Sequence, residues 1–130
     1  MPVVNNSILD GGWPGDGINN IDADPRFVDP ANGDFRLLPD SPAVDAGGAT
    51  TSSIDLDGRL RTLGAGPDMG AFERCPTDIT LDDEINFADL DRLLDAWTTD
   101  EPIADLDASG TVDMGDLNLL LATWNSGCTP

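Results

Sequence analysis

The chain has 130 residues and a formal net charge of −19, with 25 acids against six bases, all arginine, and no Lys, His or Tyr. Phosphate binding needs clustered Lys or Arg, so this balance sets aside nucleic acid and acidic membrane surfaces as partners. The length allows one domain or two small ones, and no run approaches the ~18 apolar residues of a membrane span.

The opening stretch MPVVNNSILDGGWPG has neither the basic start nor the apolar core of roughly 7 or more residues that marks a signal peptide. An exported protein would carry its signal outside this chain, so the expectation is a C-terminal piece of a longer secreted protein. Residues 1–74 hold 12 acids and five Arg, net −7, with most of the Gly and Pro. Short strands broken by turns are predicted at VVNNSIL, RFVD, DFRLL and GAFE. Trp13, Ile21, Phe27, Val28, Phe35, Leu37 and Phe72 are the expected local core. The acid pairs Asp22/Asp24 and Asp55/Asp57 can be read as an acid and base or as a further calcium site. Their settings, ADPR and DLDGR, favour turns in which Asp caps and Gly bends. Arg26, Arg36, Arg59 and Arg61 then pair with local Asp. With no His base and no Lys, this chain is expected not to be an enzyme.

The segments NNIDADPRFVDPANGDFRLLPDSPAVDAGG and DLDGRLRTLGAGPDMGAFE resemble the C-terminal end of secreted right-handed parallel β-helix proteins, related in fold to pectate lyases and surface adhesins. The resemblance spans Asn5 to Glu73. It implies a last rung at VVNNSILDGG, a cap after it, and a solenoid upstream that meets polysaccharide. One rung cannot bury its own interior, because solenoid repeats are stabilised by their neighbours.

A seam falls near GAFERCPTD. Residues 75–130 hold 13 acids and one Arg, net −12, and read as two leucine-rich helices, each preceded by an acidic loop. The unit repeats after 27 residues: Asp78, Asp89, Leu90, Leu93, Leu94 and Trp97 fall on Asp105, Asp116, Leu117, Leu120, Leu121 and Trp124. Loop and helix are duplicated together. The apolar stripes Phe87, Leu90, Leu94, Trp97 and Met114, Leu117, Leu121, Trp124 follow helical spacing and predict facing core surfaces.

Calcium loops of the EF-hand type take oxygens from positions 1, 3, 5, 7, 9 and 12 and turn sharply at 6. The second loop offers Asp105, Asp107, Ser109, the carbonyl of Thr111, Asp113 and Asp116, with Gly110 at the turn. Val112 is expected to point inward and pair with Ile85. The first loop offers Asp78, Thr80, Asp82, the carbonyl of Glu84, Asn86 and Asp89, with Asp83 where glycine is preferred. One or two Ca2+ ions are expected, the first loop binding more weakly. Asp in place of Glu at position 12 reaches less far and loosens the site. Magnesium prefers stricter octahedral geometry, and zinc is poorly served by two distant Cys and no His. The competing reading is a pair of solvated acidic loops whose Asp89 and Asp116 favour the helix dipole.

The run Asp105-x-Asp107-x-Ser109-Gly110-x-Val112-x-x-x-Asp116-Leu117, with Leu120 and Leu121 after it and a degraded copy before it, resembles the dockerin modules over residues ~75–128. That resemblance implies a cohesin-like partner on a scaffold or cell surface, docked through one helix face. It also implies recognition by loop positions 10 and 11: Phe87, Ala88, Met114 and Gly115. Many dockerins carry a hydroxyl pair there, and this chain does not. Phe87 and Met114 can equally begin the core stripes. Cys75 and Cys128 flank the module. A disulfide between them would close a loop of ~54 residues, contribute about 4 kcal/mol and imply an extracellular, oxidising setting. The alternative is two free thiols.

The expected fold class is therefore mixed. An all-β end and cap of a right-handed parallel β-helix, incomplete, occupies 1–74, and a small α module of two EF-hand-like loop-helix repeats occupies 75–130. The expected function is calcium-dependent attachment of a secreted β-helix protein. The alternatives are the tail of a polysaccharide lyase or hydrolase, and a calcium module unconnected with anchoring.

Overall fold

The computed structural model describes residues 2–130. Met1, the first residue of the expected N-terminal segment, lies outside the described residues.

The first regular structure is a hairpin set by its turn. Strand β1 (Phe27–Asp29) leads through a 3-10 turn (Pro30–Asn32) into β2 (Asp34–Leu37). Pro30 opens the turn, where a missing N–H costs nothing. Gly33 closes it at φ 85°, a left-handed conformation that glycine adopts without strain. The strands pair antiparallel, Phe27 opposite Leu37 and Asp29 opposite Asp34, with an irregularity between. Leu37, Ala43 and Met69 form a small buried core, flanked by Ile8, Ile21, Phe27, Val44 and Ala46. Phe35, expected inside, stands 48% exposed, and Trp13, Val28 and Phe72 are half-buried outside that cluster.

The expected mixed fold, a parallel β-helix end joined to two EF-hand-like repeats, is overturned. Among the described residues there are two antiparallel strands and two helices. VVNNSIL and GAFE form no strand, and the one parallel pairing is an isolated bridge between Ile8 and Ile21. The reason is local. Asn6 and Asn19 take left-handed backbone, at φ 51° and 56°, which breaks any extended run. The Asn20 side chain donates to the Val4 carbonyl at 2.7 Å, where a rung would place a backbone partner. In the other half the regular structure is two short helices, one after each acidic loop.

Helices α1 (Phe87–Asp95) and α2 (Met114–Ala122) have nine residues each, too short to stand alone in water. Their starts are fixed by capping boxes. Asn86 and Asp113 accept from the amides of Ala88 and Gly115, while Asp89 and Asp116 reach back to the N-cap amides. The helices are stabilised by a shared core of Leu93, Leu120, Ile85, Val112, Ala96 and Ala104, sealed at one end by the Cys75–Cys128 disulfide. The predicted stripes hold at Leu90, Trp97, Leu117 and Trp124, which pack against this core, and fail at Phe87, Leu94, Met114 and Leu121. Leu93 and Leu120 are fully buried, whereas Leu94 and Leu121 are 50% and 52% exposed. No helix among the described residues is long and apolar enough to cross a membrane.

The two segments are tied at several points. The Leu60 amide donates to the Cys128 carbonyl at 3.3 Å. Arg36 Nη1 donates to the Leu81 carbonyl at 3.3 Å. Arg59, 1% exposed, reaches across to Asp78 and Asp83.

Candidate metal centre

Each acidic loop is organised by its last residue. In the second loop, Asp116 Oδ1 accepts from the amides of Leu106 and Asp107 at 2.6 and 3.2 Å, and Oδ2 from Asp113 at 2.7 Å. In the first, Asp89 Oδ1 accepts from the amides of Ile79 and Thr80 at 2.9 and 3.1 Å, and Oδ2 from Asn86 at 2.9 Å. Both carboxylates are fully buried. These hydrogen bonds repeat with the 27-residue offset of the sequence.

The first residue of each loop does the same for the turn. Asp105 accepts from Ser109 and Gly110 at 3.0 and 2.8 Å, and Asp78 from Asp82 and Asp83 at 3.1 and 3.0 Å. The left-handed residues match as well: Ala108 and Gly110 at φ 57° and 93°, Leu81 and Asp83 at 62° and 72°. Gly110 adopts this freely, whereas Asp83 does so at a steric cost.

Three carboxylates converge in each loop. Oxygens of Asp105, Asp107 and Asp116 lie within 4.8 Å of one another, as do those of Asp78, Asp82 and Asp89. The other expected ligand residues make hydrogen bonds of their own. Ser109 Oγ donates to the Thr111 carbonyl at 3.1 Å. The Asp113 and Asn86 side chains serve as helix caps. Thr80 Oγ1 donates to Asp89 Oδ1 at 3.1 Å. The Glu84 side chain accepts from Asn86 Nδ2 at 3.3 Å. The donor set in each loop is all oxygen and mostly anionic, which fits a hard divalent cation of calcium's size. Both thiols are consumed in the disulfide, so no thiolate remains for zinc.

Neither a family model, nor a curated protein, nor a solved structure matches this chain.

The two loops differ in what neutralises them. Among the described residues, no ion pair reaches an acid of the second loop, which opens on a cleft of about 200 Å3 lined in part by Asp105, Gly110, Arg26 and Asp40. The first loop receives Arg59. Its Nε pairs with Asp83 Oδ1 at 2.5 Å and its Nη2 with Asp78 Oδ2 at 3.5 Å. Burial pushes the Asp78 carboxyl above the ordinary aspartate value, against the pull of the Asp83 and Asp82 amides and of Arg59.

Sequence reasoning missed Arg59, which it assigned to a local Asp. Arg26, Arg36 and Arg61 do pair within their own segment, with Asp40, Asp34 and Glu73. The available signal was Asp83, an acid at a position that supplies no metal ligand. Asp24 and Asp55 accept backbone amides in turns, and Asp22 accepts the amide of Gly11, eleven residues earlier, at 2.9 Å.

Of the expected partner-binding residues, Phe87 and Met114 are 75% and 57% exposed at the helix starts. Ala88 is exposed and Gly115 half-buried. Phe87 stacks edge-on against Trp124, ring centroids 5.1 Å apart.

Proposed function

We propose that residues 75–130 form a calcium-dependent attachment module of the dockerin kind, with Asp105, Asp107 and Asp116 holding the ion and one helix face docking a cohesin-like protein module. The observation that carries this reading is the convergence of those three carboxylates in a loop whose backbone Asp105 and Asp116 already fix. Calcium there would offset the mutual repulsion of the acids. The Thr111 carbonyl, at the seventh position, completes an oxygen donor set. The chain's own contribution is preorganisation: Asp116 ties the loop to the start of α2, so an ordered loop is an ordered helix.

The docking face is drawn by exposed apolar side chains that repeat with the loops. Phe87 matches Met114 and Leu94 matches Leu121, all more than half-exposed or at that mark. The disulfide supports an extracellular or cell-surface setting.

The test is titration of the full chain with CaCl2, followed by capture on immobilised cohesin modules in calcium and in EGTA. The reading expects calcium binding that Asp107→Asn weakens at least tenfold, and capture that EGTA abolishes. Binding without capture would leave a calcium module that does not anchor. No binding at millimolar calcium would remove the proposal altogether.

A further inference from the structure

The first loop carries five acids between Asp78 and Asp89 against four in the second, and one of them, Asp83, stands at the turn position. Asp83 stands where the second copy has Gly110, a position that contributes no metal ligand. It holds left-handed backbone at φ 72°, which an aspartate tolerates less well than glycine. What it does make is the 2.5 Å ion pair with Arg59.

Arg59 is fixed from its own side as well. Its amide donates to Asp55 Oδ1 at 2.8 Å, and Nη1 donates to the Glu73 carbonyl at 3.1 Å. The guanidinium is 1% exposed. Its Nη2 lies 3.5 Å from Asp78 Oδ2, an oxygen of the first ligand position that also accepts the Asp83 amide at 3.0 Å. A buried guanidinium cannot leave its carboxylates without being stranded in a low-dielectric interior. A calcium ion entering this loop therefore competes for Asp78 with a cation that is covalently tethered and already desolvated.

We propose that Arg59 is the resident cation of the first loop: it neutralises Asp78 at the first ligand position together with Asp83, docks the N-terminal segment onto the module, and limits the chain to one calcium ion, in the second loop. This rests on the calcium reading above and deepens it. The duplicated loops have divided their work. One keeps a glycine turn and opens to solvent. The other has exchanged glycine for an acid and closes on an arginine.

The experiment is isothermal titration calorimetry of the full chain with CaCl2, on wild type, Arg59→Met and Asp83→Gly. Asp83→Gly relaxes the left-handed backbone and removes the closer of the two ion pairs, so it serves where Arg59→Met does not fold. Wild type is expected to bind one ion, and Asp105→Asn to remove that event. At least one of the two first-loop variants is expected to bind a second ion, raising the stoichiometry from one to two. Two ions bound by wild type would overturn the proposal, as would one ion bound by wild type and by both variants. No heat in any variant, wild type included, would overturn it together with the calcium reading on which it stands.

Discussion

Thr98 and Val112 meet through their backbones, the Thr98 amide donating to the Val112 carbonyl at 2.9 Å, and Asn125 meets Ile85 the same way at 3.0 Å. Thr98 follows α1 and Val112 lies in the second loop; Asn125 follows α2 and Ile85 lies in the first. The chain leaving each helix thus clamps the loop that feeds the other. Val112 and Ile85 return the contact, their amides donating to Thr99 and Ser126. Both side chains are buried in the shared core, though their backbones pair elsewhere rather than with each other.

This reciprocity makes one cooperative unit of two loops. Ile85→Ala removes a side chain that is 2% exposed and is expected to cost about 2–5 kcal/mol. The loss should appear as a lower urea midpoint in a single transition, with helix signal and tryptophan fluorescence falling together. A variant in which α1 melts first, leaving α2 intact, would falsify the reciprocal clamp.

Gly115 and Asp107 are coupled by close approach. A Cβ on Gly115 would lie 2.5 Å from Asp107 Oδ2 and 3.2 Å from Asp113 Oδ1. The first loop has Ala88 at the matching place, and there Thr80 replaces Asp107. Gly115→Ala is therefore expected to displace Asp107 and, on the calcium reading, to weaken the second loop's affinity roughly tenfold, the scale on which displaced supporting groups act. Calcium titration of Gly115→Ala against wild type measures this. Equal affinities would mean that Asp107 does not contribute to the site.

The duplication, the loop residues and the helices were legible because their signals are local. An acidic loop with a capping residue three positions before an aspartate announces a helix start wherever it packs. Leu93 and Leu94 show where this ends. Both suit a helix of this spacing, and only the packing of α1 on α2 decides that Leu93 goes inside. The N-terminal segment was misread for a related reason. Apolar runs such as VVNNSIL suit a rung, but Asn6 turns left-handed within the run and Asn20 takes the Val4 carbonyl. The role of Arg59 left a mark only at Asp83, the acid in a glycine position, because its partners, Asp78 and Asp83, lie 19 and 24 residues away in the chain.

Glu73 links stability to pH. It is 1% exposed, accepts from the Asp68 amide and pairs with Arg61 at 2.7 Å. Burial outweighs these partners and raises its carboxyl above the ordinary value of 4.5. Burial raises Asp68 in the same direction. A carboxyl raised on folding contributes stability that is complete below its unfolded value and is lost as pH rises through its folded value. Asp34 runs the other way: the Arg36 hydrogen bond lowers it, so its contribution is present above 3.8 and fades as pH falls through the folded value. Urea midpoints of wild type and Glu73→Gln across acidic to neutral pH separate the effects. The variant should gain on wild type as pH climbs above 4.5. A constant difference would show that Glu73 titrates alike in both states.

The Cys75–Cys128 disulfide joins residues 53 apart with Cα atoms at 5.6 Å, at the point where the two ends of the module meet. Loop-closure entropy for that separation corresponds to about 4 kcal/mol, and removal of such bonds from small domains costs ~2–5 kcal/mol. The core beneath it is small, so Cys75→Ser with Cys128→Ser should lower the urea midpoint sharply in EGTA. Calcium acts on the same folded state by mass action. At 100 times its dissociation constant, one ion restores about 2.7 kcal/mol. The double variant is therefore expected to regain much of its helix signal when calcium is added, while the oxidised chain gains mainly in midpoint. Circular dichroism in EGTA and in calcium distinguishes the two. If the variant and wild type unfold at the same urea concentration in EGTA, the disulfide closes a loop that was already closed in the unfolded chain.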